Sequence, residues 1–194
     1  PEAIDTKPSR GVVVTRSLTE AEPHLAKGRK VLLLPKLDEL PKSVGGGFQT
    51  EFWSPMFAKG ARKRGQEEPP GTLGHICDPK HPALAAFPTE FHSNWQWWHL
   101  VKNSRPIILD GTPKDYRPIV QAIDNFDRNH KLGLLFETKV GKGSLLVCSI
   151  DLPAIQDQPE GRQMLHSLQK YVASNAFKPK AELSREVLDK LLAK

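Results

Sequence analysis

A strand–helix–strand pattern near the start of the chain constrains the fold most. The β-branched run Gly11–Thr15 predicts a buried strand, and Lys30–Leu34 predicts a second one. Between them, Thr19–Glu22 has capping-box spacing, Pro23 falls in the first helical turn and Gly28 ends the helix. Elements in this order form a βαβ unit, which predicts two parallel strands joined by a right-handed crossover.

The remaining periodicity adds antiparallel strands and two helices. Further strands are predicted at Leu73–Cys77, Ile107–Leu109, Pro118–Ile123, Leu132–Phe136 and Ser144–Ile150, and amphipathic helices at Glu160–Ser174 and Ala181–Ala193. Lys139–Gly143 carries a hairpin signal between the last two strands. The pattern predicts an α/β fold, a three-layer sandwich with a mixed, mostly parallel sheet flanked by helices.

The stretch from Pro35 to Gly71 is rich in proline and glycine, which predicts a long loop with an aromatic anchor around Trp53. Its triple glycine, Gly45–Gly47, lacks the Lys-Ser/Thr of a phosphate-binding loop. The basic cluster Lys59–Arg64 within it is interpreted as a solvated loop.

Composition narrows the function classes. The chain has 194 residues, a net charge of +6 and 38% hydrophobic residues, as expected for one soluble globular domain. We expect no membrane span, because no apolar run approaches the roughly 20 residues that one requires. Nucleic-acid binding through the basic cluster ranks last among the hypotheses, because no RNA- or DNA-binding signature accompanies it. The polar opening without an initiating Met indicates a linker and a piece of a longer polypeptide.

Three of the four tryptophans lie within the segment Phe87–Ser104. Ser93 and Gln96 have capping-box spacing, which predicts a helix starting at Asn94. On that helix Trp95 and Trp98 share one side, while Trp97 covers another with Leu100 and Val101. The rings could stack on sugars, or they could pack in a core or a domain interface.

A second polar and aromatic run follows at Ile123–His130, and we expect it to meet the tryptophan segment in space. The residues predicted to contact a ligand or a neighbouring domain combine indole rings with amide, imidazole and carboxylate groups. They are Trp53, His92, Asn94, Trp95, Trp97, Trp98, His99, Asp124, Asn125, Asp127, Arg128 and His130.

Catalytic and metal sites are weaker interpretations. The cluster from His75 through Cys77 and Asp78 to His81 lacks the paired ligand spacing of a zinc site, so we predict no metal and no cofactor. Cys148 lacks the flanking glycines of a nucleophile elbow and is interpreted, like Cys77, as a buried thiol.

A carboxylate pair remains open as an alternative. Glu90, Asp124 and Asp127 could cleave glycosides, which would give the domain a hydrolase activity of its own through Glu90 or Asp127. The competing interpretation is a salt-linked structural turn, because Arg128 and His130 lie beside the aspartates.

Three long runs carry a resemblance to a known family. Asp78–Leu84, Phe87–Trp98 and Ile123–Glu137 resemble the C-terminal region of bacterial glycoside hydrolases of family 2, which are β-galactosidase-like enzymes, and the likeness covers about residues 10 to 180. Such enzymes have an N-terminal sugar-binding jelly roll, an immunoglobulin-like domain and a catalytic barrel. The C-terminal module is similar to the class I glutamine amidotransferase-like fold, of flavodoxin-like architecture.

The resemblance implies an accessory role. The amidotransferase motif Gly-x-Cys-x-Gly and its His-x-Glu partner are absent, and the chain is too short to add a barrel, which needs roughly 200 residues. We therefore expect a non-catalytic accessory domain of a secreted or periplasmic glycoside hydrolase acting on plant or host polysaccharides. Its expected partners are the catalytic barrel of the parent chain and, as a second candidate, carbohydrate. Residues 1–10 would be a linker, 11–179 the α/β domain and 180–194 a C-terminal helix.

Overall fold

The computed structural model describes residues 4, 6–49, 54–65, 71–126 and 128–192. In this part of the chain the strands are β1 (Val13–Thr15), β2 (Lys30–Leu33), β3 (Gly74–Cys77), β4 (Ile107–Ile108), β5 (Val120–Ile123), β6 (Leu132–Val140) and β7 (Gly143–Cys148). The α-helices are α1 (Leu18–Ala26), α2 (Ser54–Lys63), α3 (Trp98–Lys102), α4 (Pro159–Ala173) and α5 (Arg185–Leu192). None of these helices is long and apolar enough to cross a membrane.

The strands form one mixed, open sheet in the order β1-β2-β7-β6-β5-β3, with β4 paired to β6 beside the end of β7. The pairs β1–β2 and β2–β7 are parallel, and the pairs among β7, β6, β5, β3 and β4 are antiparallel. The mixed sheet is confirmed, and its parallel share is smaller than the sequence predicted. The physical reason is that short connections such as Gly141–Lys142 return the chain directly and leave no room for a crossover helix.

Helices cover both faces of the sheet. On one face, α3 and α4 pack on the alternate strand residues Leu32, Leu134 and Leu146. On the other face, α1 and α5 pack on residues such as Val31 and Leu145. The period-2 alternation of each strand therefore divides the core into two layers, which makes the domain a helix–sheet–helix sandwich.

The βαβ unit is confirmed, but its helix begins earlier than Thr19. The cap is Ser17, whose hydroxyl accepts the backbone N–H of Glu20 at 3.2 Å. The Glu20 carboxylate accepts the N–H of Arg16 at 2.8 Å, so the capping exchange lies two residues upstream of the predicted one. Pro23 accordingly lies inside α1.

The predicted long loop between β2 and β3 contains a helix. The basic cluster Lys59–Arg64 lies largely on α2, which corrects its interpretation as loop. A single β-bridge from Ser43 to Ile107 fastens the connection to β4, and a second one, from Phe48 to Thr72, joins two parts of the connection to each other. The second bridge brings Phe48 toward the tryptophan segment.

Part of the predicted N-terminal linker also touches the domain. The side-chain amide of Gln169 on α4 donates a 2.9 Å hydrogen bond to the carbonyl of Thr6.

The edge of the sheet at β3 and β5 is partly uncovered. Ile76 and Ile123 share the face that carries α1 and α5, and both remain exposed. The helical layers therefore leave the outer end of β3 and β5 bare on this face.

Helix α4 approaches the loop before it so closely that only glycine fits at position 161. A Cβ added to Gly161 would lie 2.3 Å from the carbonyl oxygen of Ile155. Helix propensity alone favours alanine by about 1 kcal/mol. We predict instead that Gly161→Ala lowers the free energy of unfolding by about 1–3 kcal/mol, because backbone must shift to relieve the contact.

Urea unfolding of the variant and the wild type measures this difference. Gly60→Ala is the matched control, because the nearest atom to a new Cβ in α2 is the tip of the Arg64 side chain at 3.6 Å. That control is expected to keep or raise the unfolding midpoint. A stabilised Gly161→Ala protein would contradict the packing described for α4.

Candidate functional site

The tryptophan segment begins with a side-chain cap. The Asn94 side-chain oxygen accepts the backbone N–H of Gln96 at 3.1 Å, so Asn94 caps the segment in place of the predicted Ser93. A 3-10 turn, Trp95–Trp97, leads directly into α3. The turn sends adjacent indoles to different sides, as the predicted helix did.

Trp97 is the buried member of the segment. Its ring is fully enclosed and lies 3.9 Å from the His75 ring and 5.3 Å from the Phe87 ring, measured between centroids. Its indole N–H donates to the Thr89 hydroxyl at 2.7 Å. Trp97 is therefore a core residue, and its predicted role as a contact residue is wrong.

Trp95 and Trp98 face outward and form, with Phe48, what we term the aromatic platform. The Trp95 and Trp98 rings stack with centroids 5.3 Å apart at 17°, and the Trp98 and Phe48 rings stack at 5.6 Å and 6°. Trp95 is 81% exposed and Trp98 is 37% exposed. The Lys102 ammonium lies 5.6 Å from the Trp98 centroid. The platform thus offers a broad indole surface to solvent.

A groove of 680 Å³ adjoins the platform, and we term it the platform groove. It is lined by Ile4, Phe87, Trp95, Gln96, Trp98, His99, Pro159, Glu160 and Gln163. His99 Nδ1 contacts the Glu160 carboxylate, which stands in the first turn of α4. The groove therefore places an aromatic plane beside amide, imidazole and carboxylate groups.

The groups before the tryptophans are arranged around Glu90. Asn94 Nδ2 donates to the Glu90 carboxylate at 3.3 Å, and His92 Nδ1 lies 3.7 Å from the same oxygen. His92 bridges Ile76 at the edge of the sheet and stacks against Phe91 at 4.7 Å. Asn94 thus serves as a structural cap, whereas His92 stays exposed at the sheet edge.

The second run is a structural turn built on a buried ion pair. Arg128 Nη2 lies 2.7 Å from Asp124 Oδ1, and the two side chains are only 6% and 1% exposed. The same carboxylate accepts the backbone N–H groups of Asn125 and His130 at 2.9 and 3.0 Å. Asp124, Asn125 and Arg128 are consequently enclosed, and their predicted role as contact residues is wrong.

His130 also has a partner inside the domain. Its Nδ1 lies 2.7 Å from Asp110 Oδ2, and the neighbouring Lys131 N–H donates to the other oxygen of that carboxylate. Trp53 and Asp127, which were also predicted to be contact residues, lie outside the described residues. Phe126 is the exposed aromatic side chain of this turn.

The two runs are joined through an intervening segment. Arg128 Nη2 donates to the Gly71 carbonyl at 2.6 Å, Thr72 bridges Phe48, and Phe48 stacks on Trp98. Of the surface predicted from both runs, the aromatic platform and the platform groove therefore remain as the candidate site. The Asp124–Arg128 turn is buried and supports the platform through its contact with Gly71.

Sequence reasoning missed Phe48, Gln96, Glu160 and Gln163. Phe48 and Glu160 reach the tryptophans from more than 40 residues away along the chain, so no local spacing could indicate them. Gln96 was considered only as part of a cap. The one usable signal was the Phe48–Phe57 aromatic anchor, which pointed to the right segment without giving its contact.

The described residues do not assemble a reaction centre of the kinds considered. Cys148 is enclosed, and burial raises the pKa of its thiol to about 12. Burial likewise raises the pKa of Cys77 to about 11, and its S–H donates to the Glu90 carbonyl. Thiols with raised pKa values are poor nucleophiles at neutral pH. Among the described side chains, no three His, Cys, Asp or Glu converge as a metal site requires.

Comparison with known proteins gives one family. The family model described as "Domain of unknown function (DUF8487)" matches residues 12–193, which is nearly the whole chain. The search of curated proteins found no match to the chain.

His75 makes the stability of the site region depend on pH. The ring is buried against Trp97, and neither ring nitrogen has a hydrogen-bond partner among the residues that the structure describes. Burial, assisted by nearby His92, lowers the pKa of His75 from 6.5 to about 4. The unfolded chain therefore binds a proton on this residue at a higher pH than the folded chain does.

We predict that the free energy of unfolding falls as pH drops from 6.5 toward 4, with His75 accounting for up to about 3 kcal/mol. Urea unfolding across this range measures the slope. His75→Phe keeps an aromatic ring against Trp97 and removes the titrating nitrogens, so its slope is expected to be shallower. Identical slopes in the two proteins would exclude a buried neutral His75.

Proposed function

The chain belongs to the DUF8487 family, and we propose that it is a non-catalytic accessory domain of a glycoside hydrolase that contacts carbohydrate through the aromatic platform. The resemblance to family 2 enzymes supplies the parent enzyme in this proposal. In that setting the domain would have the class I glutamine amidotransferase-like fold and would stand beside the catalytic barrel of an exported enzyme.

The exposure of Trp95 is the single observation that carries the proposal. An indole presents on the order of 200 Å² of surface. At about 25 cal/mol per Å², burying that surface in a contact would contribute several kcal/mol of favourable free energy. A contiguous group of exposed aromatic rings, as formed by Trp95 and its stacked neighbours, is typical of a contact surface. Because Trp98 and Phe48 stack behind Trp95, the ring is supported in place and loses little side-chain freedom when a partner binds.

The chemistry of the platform groove favours a sugar over a purely apolar partner. A pyranose ring has one apolar face of C–H groups that can lie on an indole, and hydroxyls around its edge. Glu160 and His99 line the same groove as Trp95 and can exchange hydrogen bonds with such hydroxyls. Gln96 and Gln163 each donate to a backbone carbonyl, which orients their amide groups at the wall.

The way in which Glu90 and Asp124 are used supports a non-catalytic role. The Glu90 carboxylate accepts a hydrogen bond from Asn94, which caps the tryptophan segment, and the Asp124 carboxylate forms an ion pair with Arg128. Neither Glu90 nor Asp124 lines the platform groove, where a glycosidase pair would have to flank the bound sugar. The proposal therefore assigns hydrolysis to another domain of the parent polypeptide.

We predict that Trp95→Ala weakens binding to the preferred oligosaccharide at least tenfold, because it removes the stacking surface. Isothermal titration against a panel of plant and host oligosaccharides measures the dissociation constants. Phe126→Ala is the matched control, since this aromatic side chain is also exposed and does not line the groove. It is expected to bind like the wild type.

Stability separates a lost contact from a lost fold. Trp95→Ala is expected to keep the wild-type urea midpoint, because the side chain is mostly in solvent. Failure of the wild-type chain to bind any member of the panel would refute the carbohydrate assignment. Equal losses in the Trp95 and Phe126 variants would refute the platform as the binding surface.

A further inference from the structure

A second groove, of 770 Å³, lies between β6, α4 and the segments 113–117 and 176–183. It shares no lining residue with the platform groove. Its volume falls within the roughly 300–1,000 Å³ of small-molecule sites. The side chains that matter most are those of His81, Tyr116, Glu137 and Tyr171, which line it together with the rim residues Arg117 and Lys178.

Glu137 is held in place at this groove by two buried tyrosines. The Tyr171 hydroxyl donates to Glu137 Oε2 at 2.6 Å. The Tyr116 hydroxyl donates to the backbone carbonyl of the same residue at 2.8 Å. Burial raises the pKa of both phenols, so they remain donors at neutral pH. The carboxylate is therefore oriented, and within the described part of the chain its other oxygen, Oε1, accepts no hydrogen bond.

The charge of Glu137 is not balanced within the described part of the chain. None of the ion pairs among these residues includes Glu137. The Arg117 guanidinium donates instead to the carbonyls of Lys114 and Tyr116. Partial burial of an unpaired carboxylate is costly, and it raises the pKa of Glu137.

His81 does not supply the missing positive charge. Its Nδ1 accepts the backbone N–H of Ala83 at 3.2 Å, which places the ring proton on Nε2. Burial lowers the pKa of His81, so the ring is a neutral donor at the groove. The site thus combines an oriented carboxylate, a neutral imidazole and a phenol. Arg117, Lys178 and Lys180 also line the groove, but within the described part of the chain none of them forms an ion pair with Glu137.

We propose that this groove binds a small ligand through an ammonium group that pairs with Glu137. A primary ammonium supplies the charge and the short, charge-assisted hydrogen bonds that an oriented carboxylate accepts. The groove is much larger than an ammonium, so the remainder of the ligand lies along the walls formed by Tyr116, Pro82 and Pro113. Amino sugars and simple alkylamines share this chemistry. The proposal does not depend on the carbohydrate role of the aromatic platform.

Titration of the ¹⁵N-labelled chain at pH 7 with D-glucosamine, D-glucose and n-butylamine tests the proposal. We expect at least one amine to bind with shifts centred on β6 and α4, and glucose to give no such shifts. Binding of glucosamine alone identifies an amino sugar as the ligand class, and comparable binding of butylamine identifies a simple amine.

Glu137→Gln is the decisive variant, because it keeps the size and the hydrogen bond from Tyr171 and removes the charge. We expect it to weaken amine binding at least tenfold, whereas Glu186→Gln, at an exposed carboxylate that does not line this groove, keeps wild-type affinity. Circular dichroism confirms that both variants fold. Absence of amine binding, equal binding of glucose at this groove, or unchanged affinity in Glu137→Gln would overturn the proposal.

Discussion

The enclosure of Trp97 between His75 and Phe87 is the contact on which the tryptophan surface depends. One indole is fixed in the core, and the geometry of a helical turn then decides where its neighbours go. Trp95 and Trp98 are three residues apart and share a side, and both project away from the buried ring. Nothing else in the segment is needed to explain why two of three nearly consecutive indoles remain in water.

Neighbouring elements of the domain hold the tryptophan segment in place. The edge strand β3 supplies His75 and is paired to β5 on one side and, through the single bridge between Ile76 and His92, to the tryptophan segment on the other. The buried Asp124–Arg128 pair closes the turn after β5 and ties it to Gly71. Removing one partner of a buried pair of this kind costs about 3–5 kcal/mol, so the turn is a rigid support for the segment that carries Phe48.

Periodicity in the sequence was sufficient for the βαβ unit, the β6–β7 hairpin and the amphipathic helix α4, because each depends on neighbours close along the chain. It failed where a polar side chain had two possible uses. Asp124 and Arg128 have the composition of a binding surface, yet their opposite charges pair with each other inside one turn. Only the local backbone path distinguishes the two outcomes.

Long-range contacts were also beyond reach. Phe48 stacks on Trp98 because it pairs with Thr72 at the far end of the connection that contains α2. Glu160 contacts His99 because α4 packs against α3. The groove at Glu137 depends on Tyr116 and Tyr171, which are far apart in sequence and were assigned to no site. Chemistry assembled from distant elements leaves no spacing signal in a single sequence.

The most direct test of the account concerns the different environments of the three clustered indoles. Hydrogen exchange of the indole N–H groups, followed by NMR with single Trp→Phe variants for assignment, distinguishes them. The account predicts slow exchange for Trp97, whose N–H is buried and bonded to Thr89, and rapid exchange for Trp95. Equally slow exchange at both positions would show that Trp95 belongs to the core, and the aromatic platform would not exist.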